Sequence, residues 1–252
     1  MANQDRHKLT RVSSEQIEAR QDLLANFKDS PIPDDEILTN LGLYLRSTIL
    51  AKMLYLNELY EKILNIPGIV MEFGAWWGAN LALLGSFRSV YEPYNQSRKV
   101  VGFDTFRGYP SVSPEDGASP HVAVGGYAVP EGYEDVLSRI LDAHERDNVL
   151  SHIRKYEIVK GDVAETIHHY LDENPQTMIA LAYFDLQLYE PTKRCLEAIQ
   201  PYLIRGSVLA MDELNAEDFP GETIALKEVL GLSKYRVYRS RFLPDRSYVV
   251  LD

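Results

Sequence analysis

Downstream of Pro67 the chain alternates short apolar runs with segments whose apolar residues recur at helical spacing, and this alternation constrains the fold most strongly. Five strand and helix pairs in succession predict a parallel sheet with helices on both faces. Two further strand-like runs have only a short connection around Pro244 and Asp245, which predicts antiparallel pairing. The predicted strands are 68–73, 99–104, 156–160, 178–185, 207–212, 235–240 and 246–251. The predicted helices between them are 78–90, 131–145, 163–173, 190–203 and 221–231.

The N-terminal quarter of the chain has a different pattern. Residues 1–12 are polar and are predicted to be disordered. Ser13 and Gln16 have the spacing of a capping box, which predicts a helix over 13–27. A longer helical pattern over 34–64 is interrupted near Gly42. We therefore expect a tail and helical extension over 1–66 and one α/β domain over 67–252.

Composition excludes several classes of protein. The chain has 252 residues, of which 45% are hydrophobic, and its formal net charge of −11 disfavours a nucleic-acid groove. No apolar run approaches the 18 or so residues of a membrane span, and no secretory leader is recognisable, so we expect a cytoplasmic protein without a membrane partner. Cys195, the single cysteine, lies in a helical pattern and is predicted to be buried.

A glycine-bearing turn follows the first predicted strand. Glu72 ends the strand, and Gly74 and Gly78 lie beyond it without the spacing of a dinucleotide-binding fingerprint. A carboxylate beside free backbone N–H groups suits a ligand that carries both an ammonium and a carboxylate. S-adenosylmethionine (SAM) is such a ligand, although glycines in a turn also serve purely structural ends.

Two more acids stand at predicted strand ends, where ligands of open α/β sheets bind. Asp104 closes the second strand and could accept both hydroxyls of a ribose, or could simply begin a turn. Asp162 precedes a helix with Glu165 three residues on, which indicates an N-cap. Capping is compatible with a contact to adenine.

Asp185 and Asp212 follow the fourth and fifth predicted strands, and Glu213 is next to the latter. If those strands are neighbours, about 4.8 Å apart, the carboxylates repel one another unless a positive charge lies between them. Three hard oxygen ligands could hold Mg²⁺. Alternatively, each acid merely begins a turn.

Residues 107–130 form a long irregular stretch that is rich in proline and glycine. Loops of this length inside a domain are usually functional or disordered. We predict a lid over the substrate, in which His121 is the one histidine considered for chemistry.

Six motifs in this order resemble the TylF-like family, the SAM-dependent sugar O-methyltransferases of macrocin and mycinamicin type. The resemblance runs from about Leu41 to the C-terminus. The motifs are Glu72 to Gly78, Phe103 to Pro110, Gly126 to Pro130, Lys160 to Asp162, Asp185 with Tyr189 to Thr192, and Met211 to Glu213.

The resemblance implies a class I methyltransferase fold, Rossmann-like and doubly wound, with an antiparallel last strand in a mostly parallel seven-stranded sheet. It also implies dependence on Mg²⁺ held by Asp185, Asp212 and Glu213, with Glu72 and Asp104 at the SAM site. The full set of expected cofactor contacts is Glu72, Phe73, Gly74, Ala75, Gly78, Asn80, Asp104, Thr105, Phe106, Gly161, Asp162, Val163 and Asp185.

The general base is not assigned by the resemblance. Family members commonly carry an acid where Gln187 stands, and many have aspartate at the position of Glu213. Related catechol O-methyltransferases have a lysine at the position of Leu188. Asp185 and His121 are therefore the candidates for the proton acceptor.

The expected activity is methyl transfer from SAM to a hydroxyl of a deoxysugar, either nucleotide-linked or attached to a natural product. The small-molecule sugar is the expected partner, and the N-terminal helices suggest a homo-oligomer. Catechol or phenol methylation, an NAD-dependent oxidoreductase and a non-catalytic SAM-binding protein are the alternatives.

Overall fold

The computed structural model describes residues 12–252. The chain forms two compact units, the first ending at Ala51 and the second spanning Lys52–Asp252. The polar tail predicted over 1–12 lies, apart from Val12, outside the described residues. The prediction of disorder there is therefore not addressed by the structure.

The first unit contains helix α1 (Ser14–Lys28), the short helix α2 (Asp34–Ile37) and a 3₁₀ turn at Leu41–Tyr44. The predicted capping box is present, because the Ser13 hydroxyl accepts from the N–H of Gln16 while the Gln16 side chain accepts from the N–H of Ser13. No residue of α1 or α2 is buried.

Helix α3 (Ser47–Lys62) begins in the first unit and continues into the second. Its buried side chains are Tyr55, Leu56, Leu59 and Tyr60. These residues belong to the core of the sheet-containing unit. That unit therefore begins inside α3, upstream of Pro67, because apolar burial joins this helix to the sheet.

The second unit is built around one seven-stranded sheet with the order β3-β2-β1-β4-β5-β7-β6. The strands are β1 (Ile69–Phe73), β2 (Val100–Asp104), β3 (Tyr156–Lys160), β4 (Ile179–Phe184), β5 (Leu203–Met211), β6 (Val237–Arg239) and β7 (Ser247–Val250). The first five strands are parallel, and β7 is antiparallel to both β5 and β6. The predicted mostly parallel sheet with an antiparallel last strand is confirmed. The predicted ends are less accurate, since β6 has only three residues and β5 begins earlier than expected.

Helices cover both faces of the sheet, as the alternation predicts. The remaining helices are α4 (Ala79–Tyr91), α5 (Tyr133–Asp147), α6 (Val163–Glu173), α7 (Tyr189–Ile199) and α8 (Gly221–Val229). Side chains of α3, α4 and α5 enter one apolar core, and those of α6, α7 and α8 enter the other. Cys195 is buried in α7, as predicted. Among the described residues no helix is both long and apolar enough to cross a membrane.

Candidate active site

The register of the sheet aligns four site residues at its carboxyl edge. Phe73 is paired with Phe103 on one side and with Phe184 on the other, and Phe184 is paired with Met211. The residues that directly follow these four are Gly74, Asp104, Asp185 and Asp212. The strands β4 and β5 are neighbours, which is the condition stated for the acidic residues, and Asp185 and Asp212 therefore lie side by side.

The turn after β1 requires glycine at its first position. Gly74 has φ +92°, and a Cβ there would lie 2.2 Å from the carbonyl oxygen of Asp185. Any side chain would therefore push β1 and β4 apart. Gly78, with φ +76°, precedes α4, and a Cβ there would clash with the side chain of Leu137. The turn has no room for side chains at these two positions, because Asp185 and Leu137 lie against its backbone.

Asp104 connects this turn to the end of β2. Its Oδ2 accepts from the N–H of Trp76 at 2.7 Å, and its Oδ1 accepts from the N–H of Phe106 at 2.6 Å. Burial raises the pKa of Asp104 above its ordinary value, although both N–H groups oppose the shift. The carboxylate thus fixes two loops of the cofactor side before any ribose is bound.

Glu72 is fully buried, and neither carboxylate oxygen has a hydrogen-bonding partner among the described residues. Burial raises its pKa to about 8; Asn80 and Lys52 oppose this shift, while Asp185 adds to it. Such an unpartnered acid is costly. A cation brought by a ligand would lower this cost, which fits the ammonium predicted for this position.

Asp162 forms the predicted N-cap, since its Oδ1 accepts from the N–H of Ala164 at 3.0 Å at the start of α6.

The acidic cluster of Asp185, Asp212 and Glu213 lies on the other side of the site, at the ends of β4 and β5. There Glu222 of α8 accepts from the N–H groups of Leu186, Gln187 and Glu213. One buried carboxylate therefore holds both loops that carry the acidic cluster.

The acids of this cluster are short of positive charge. Burial and the neighbouring Asp212 raise the pKa of Asp185 to about 6, although Lys52 opposes the shift. Burial raises the pKa of Glu213 to about 8 in spite of Arg246. Like charges in a buried place produce such shifts.

Two cations lie against the cluster. The Nε atom of Arg246 lies 2.5 Å from Oδ1 of Asp212, and its Nη1 lies 4.0 Å from Glu213. The Nζ atom of Lys52 lies 3.6 Å from Oδ2 of Asp185. Burial opposes the charge of Lys52, but Asp212 and Asp185 outweigh it and raise its pKa.

The predicted metal ligands suit a hard divalent cation in kind, because three carboxylates line one cavity. Across residues 12–252, however, no three His, Cys, Asp or Glu side chains converge on a point where they could hold an ion. The guanidinium of Arg246 lies against Asp212, one of the three predicted ligands. Metal dependence therefore stays a prediction.

The insertion at 107–130 packs onto the site. The hydroxyl of Tyr109 donates to Oε1 of Gln187. The ring of Tyr127 packs edge-on against Trp76, with centroids 5.7 Å apart. Buried Asp116 accepts from the N–H of Tyr189 at the start of α7. These contacts hold the insertion against the loops that line the cavity, and its action as a lid stays a prediction.

A cavity of about 250 Å³ opens at the carboxyl ends of the strands. The predicted site residues that line it are Gly74, Asp104, Thr105, Asp162, Val163, Asp185, Asp212 and Glu213. The predicted ones outside its lining are Glu72, Phe73, Ala75, Gly78, Asn80, Phe106, Gly161 and His121. Phe73, Ala75 and Phe106 are buried core residues. Their contacts with a cofactor stay predictions.

The sequence does not single out several residues that line the cavity, among them Lys52, Trp76, Tyr109, Tyr127 and Gln187. Trp76, Tyr109 and Tyr127 lie within the motifs given above, so their aromatic side chains could have been predicted to line the site. From the sequence, Arg246 is one of four arginines, with Arg107, Arg239 and Arg241, that could pair with a nucleotide diphosphate or be solvated surface charges. Lys52 had no signal, because its place depends on how α3 packs on the sheet.

The fold and this site define the chain as a SAM-dependent methyltransferase of class I. No protein-family model and no curated protein matches the chain. Among solved structures, the calicheamicin methyltransferase CalS11 is 45% identical with a TM-score of 0.94, over 99% of this chain and 98% of that one. Its apo structure, described as a TDP-rhamnose 3'-O-methyltransferase, is 42% identical with a TM-score of 0.86, over 98% and 99%.

The chain therefore belongs to the O-methyltransferase family of CalS11. The O-methyltransferase NovP is 18% identical with a TM-score of 0.61, over 80% of each chain, and shows the shared fold alone. These comparisons do not single out the macrocin and mycinamicin type. That narrower assignment stays a prediction.

Proposed function

We propose that this protein transfers the methyl group of SAM to a hydroxyl of a nucleotide-linked deoxysugar. The observation that carries the proposal is the identity of 42% over 98% of the chain to an enzyme described as acting on TDP-rhamnose. A deoxysugar already attached to a natural product is the second candidate acceptor. The macrocin-type motifs in the sequence favour it.

The cavity provides two chemically different ends for these substrates. SAM would occupy the end at Gly74, Asp104 and Asp162, where fixed loops and two carboxylates suit a cationic cofactor. The acceptor would lie beside Asp185 and Gln187 under the insertion. Holding the acceptor oxygen in line with the methyl group is the main contribution expected of the protein.

The transfer requires a place for one proton. We propose that the acceptor hydroxyl gives its proton to the carboxylate of Asp185 as its oxygen attacks the methyl carbon. The bond between carbon and sulfur breaks, and its electron pair stays on sulfur, which leaves S-adenosylhomocysteine. A raised pKa favours such a proton acceptor at neutral pH.

Mg²⁺ belongs to the proposal as a requirement still to be tested. Asp185, Asp212 and Glu213 would hold it, and it would lower the pKa of the acceptor hydroxyl. We expect full chelation to lower turnover on the order of tenfold or more and added Mg²⁺ to restore it. Full activity in excess chelator would remove the metal from the proposal without affecting methyl transfer.

The activity is tested with labelled SAM and three acceptors: TDP-rhamnose, a rhamnosylated aglycone and a catechol. Label in the nucleotide sugar supports the proposal, and the methylated position follows from the product's NMR spectrum. Label only in the catechol would overturn it. Binding of NADH in preference to SAM would instead indicate an oxidoreductase.

A homo-oligomer is also proposed, because α1 has no buried residue and exposes Leu24 and Phe27. Exposed apolar side chains on a helix are covered in many proteins by a second subunit. Light scattering on the purified protein gives its mass in solution. The mass of a single chain would overturn this part of the proposal.

A further inference from the structure

Lys52 carries a positive charge at the end of the cavity that is proposed for the acceptor. No sequence motif includes this residue. Of the described residues that line the cavity, only Lys52 and Arg246 are lysine or arginine. The two side chains differ in their ion pairs and hydrogen bonds. Arg246 lies against Asp212 and also donates to Asp245 at 2.8 Å.

The Nζ atom of Lys52 pairs with Oδ2 of Asp185 at 3.6 Å, and the side chain of Lys52, which is 29% exposed, lines the cavity. An ammonium group has three donors. Asp185 can engage one of them, and Asp212 also attracts the ammonium. Donors of Lys52 are therefore available to a ligand.

The position of Lys52 is built into the fold. It lies one turn before Tyr55 and Leu56 on the buried face of α3. Tyr55 donates to the carbonyl of Ser247 at 3.3 Å, and its ring packs against Tyr183. Tyr183 in turn donates to Asp212. This part of α3 is thereby attached to the strands that carry the acidic cluster.

The spacing of Lys52 and Asp185 matches one shared oxygen. At 3.6 Å the contact between the two groups is a long ion pair. A hydroxyl oxygen could lie beside this pair, about 2.8 Å from each atom, and 2.8 Å is a normal hydrogen-bond length. Its proton would point at Asp185 and its lone pair at Lys52.

We propose that Lys52 is a catalytic residue that donates a hydrogen bond to the acceptor oxygen and stabilises the negative charge that develops on it. The inference rests on the proposed sugar methylation. It assigns to α3 the role of presenting a fixed positive charge to the reacting oxygen, as an oxyanion hole does. Lys52 keeps its proton throughout and acts only as a hydrogen-bond donor.

The test compares Lys52→Met, Lys52→Arg and Lys52→Ala with the wild type. Lys62→Met is the matched control, because Lys62 is on the same helix, outside the cavity lining, and contacts the ring of Tyr248. We expect Lys52→Met to lower kcat on the order of a hundredfold, the effect of removing one such donor. The KM for the acceptor, the Kd of SAM and the Tm should change little, and Lys62→Met should leave kcat as it is.

Chemical rescue separates catalysis from structure. Methylamine supplied to Lys52→Ala should restore a measurable part of kcat, and Lys52→Arg should retain more activity than Lys52→Met. An unchanged kcat in Lys52→Met, or a loss that follows a lowered Tm and resists methylamine, overturns the role of Lys52. If the wild type methylates neither sugar acceptor, the proposed function itself fails, so the two failures are distinguishable.

Discussion

The Nε atom of Arg246 lies 2.5 Å from Oδ1 of Asp212, which pairs the turn between β6 and β7 with the end of β5. Asp212 is almost fully buried, and Arg246 is mostly buried. Removing one partner of a buried ion pair leaves the other charge without compensation. The antiparallel end of the sheet thus has a direct part in the electrostatics of the site.

We expect Arg246→Met to destabilise the fold by about 3 kcal/mol, because the charge of Asp212 stays buried. The double variant with Asp212→Asn should lose less than the sum of the two single variants. Urea unfolding of all four proteins measures this coupling. The exposed pair Lys193 and Glu228 is the control, and Lys193→Met should cost less than about 1 kcal/mol. Additive losses at Arg246 and Asp212 would show that the pair is not energetically coupled.

Asp104→Asn should weaken SAM binding. The amide can accept only through its oxygen, so one of the two N–H groups now held by Asp104 loses its acceptor. We expect the Kd of SAM, measured by calorimetry, to rise about tenfold or more, the cost of one lost charge-assisted hydrogen bond.

Asp172→Asn is the control for Asp104→Asn, because it makes the same change at an exposed position of α6 outside the cavity lining. Its Kd for SAM should stay close to that of the wild type. Equal weakening of SAM binding in the two variants would show that the connection between the loops after β1 and β2 does not determine the affinity for SAM.

Glu72→Gln should alter the pH dependence of stability. The pKa of Glu72 is about 8 in the folded protein, above that of the unfolded chain. The folded state therefore binds the proton more tightly, and stability falls as pH rises from about 4.5 to 8, by at most about 1.4 kcal/mol per pH unit. Glutamine cannot ionise, so the variant should match the wild type at pH 4.5 and exceed its Tm at pH 8.

The same variant should bind SAM more weakly, since the ligand's ammonium loses its acidic neighbour. The control is Glu173→Gln, which changes an exposed acid at the end of α6. Parallel Tm profiles of Glu72→Gln and the wild type across this pH range would contradict a raised pKa at Glu72.

Two glycine substitutions should have opposite effects. Gly85 lies inside α4, and a Cβ added there would have nothing within 4 Å, so Gly85→Ala should stabilise by about 0.5 to 1 kcal/mol through helix propensity. A Cβ on Gly221 would lie 2.5 Å from the nitrogen of Tyr189 and 2.8 Å from the oxygen of Gln187. Gly221→Ala should therefore destabilise by about 1 to 3 kcal/mol.

Gly221→Ala should also lower turnover, because the crowded atoms belong to the loop that carries Gln187. Thermal unfolding and a methylation assay check both effects. A neutral Gly221→Ala would show that α8 can shift away from this loop without cost.

Much of the fold could be predicted from the sequence, because the sequence patterns that mark its helices and strands are local. The capping box at Ser13, the N-cap at Asp162 and the strand ends at Asp104 and Asp185 all depend on neighbours a few residues away. The ends of β5 and β6 were less predictable, because sheet edges depend on which strand lies alongside.

The sequence by itself determined the alternation of strands and helices, and with it the carboxyl edge at which Gly74, Asp104, Asp185 and Asp212 must lie. Only the tertiary structure decided what surrounds them. Lys52 comes from a helix upstream of the sheet and Arg246 from the turn before the last strand. Side-chain charges act over a few ångströms in space whatever their distance along the chain, so no local pattern contains such a pairing.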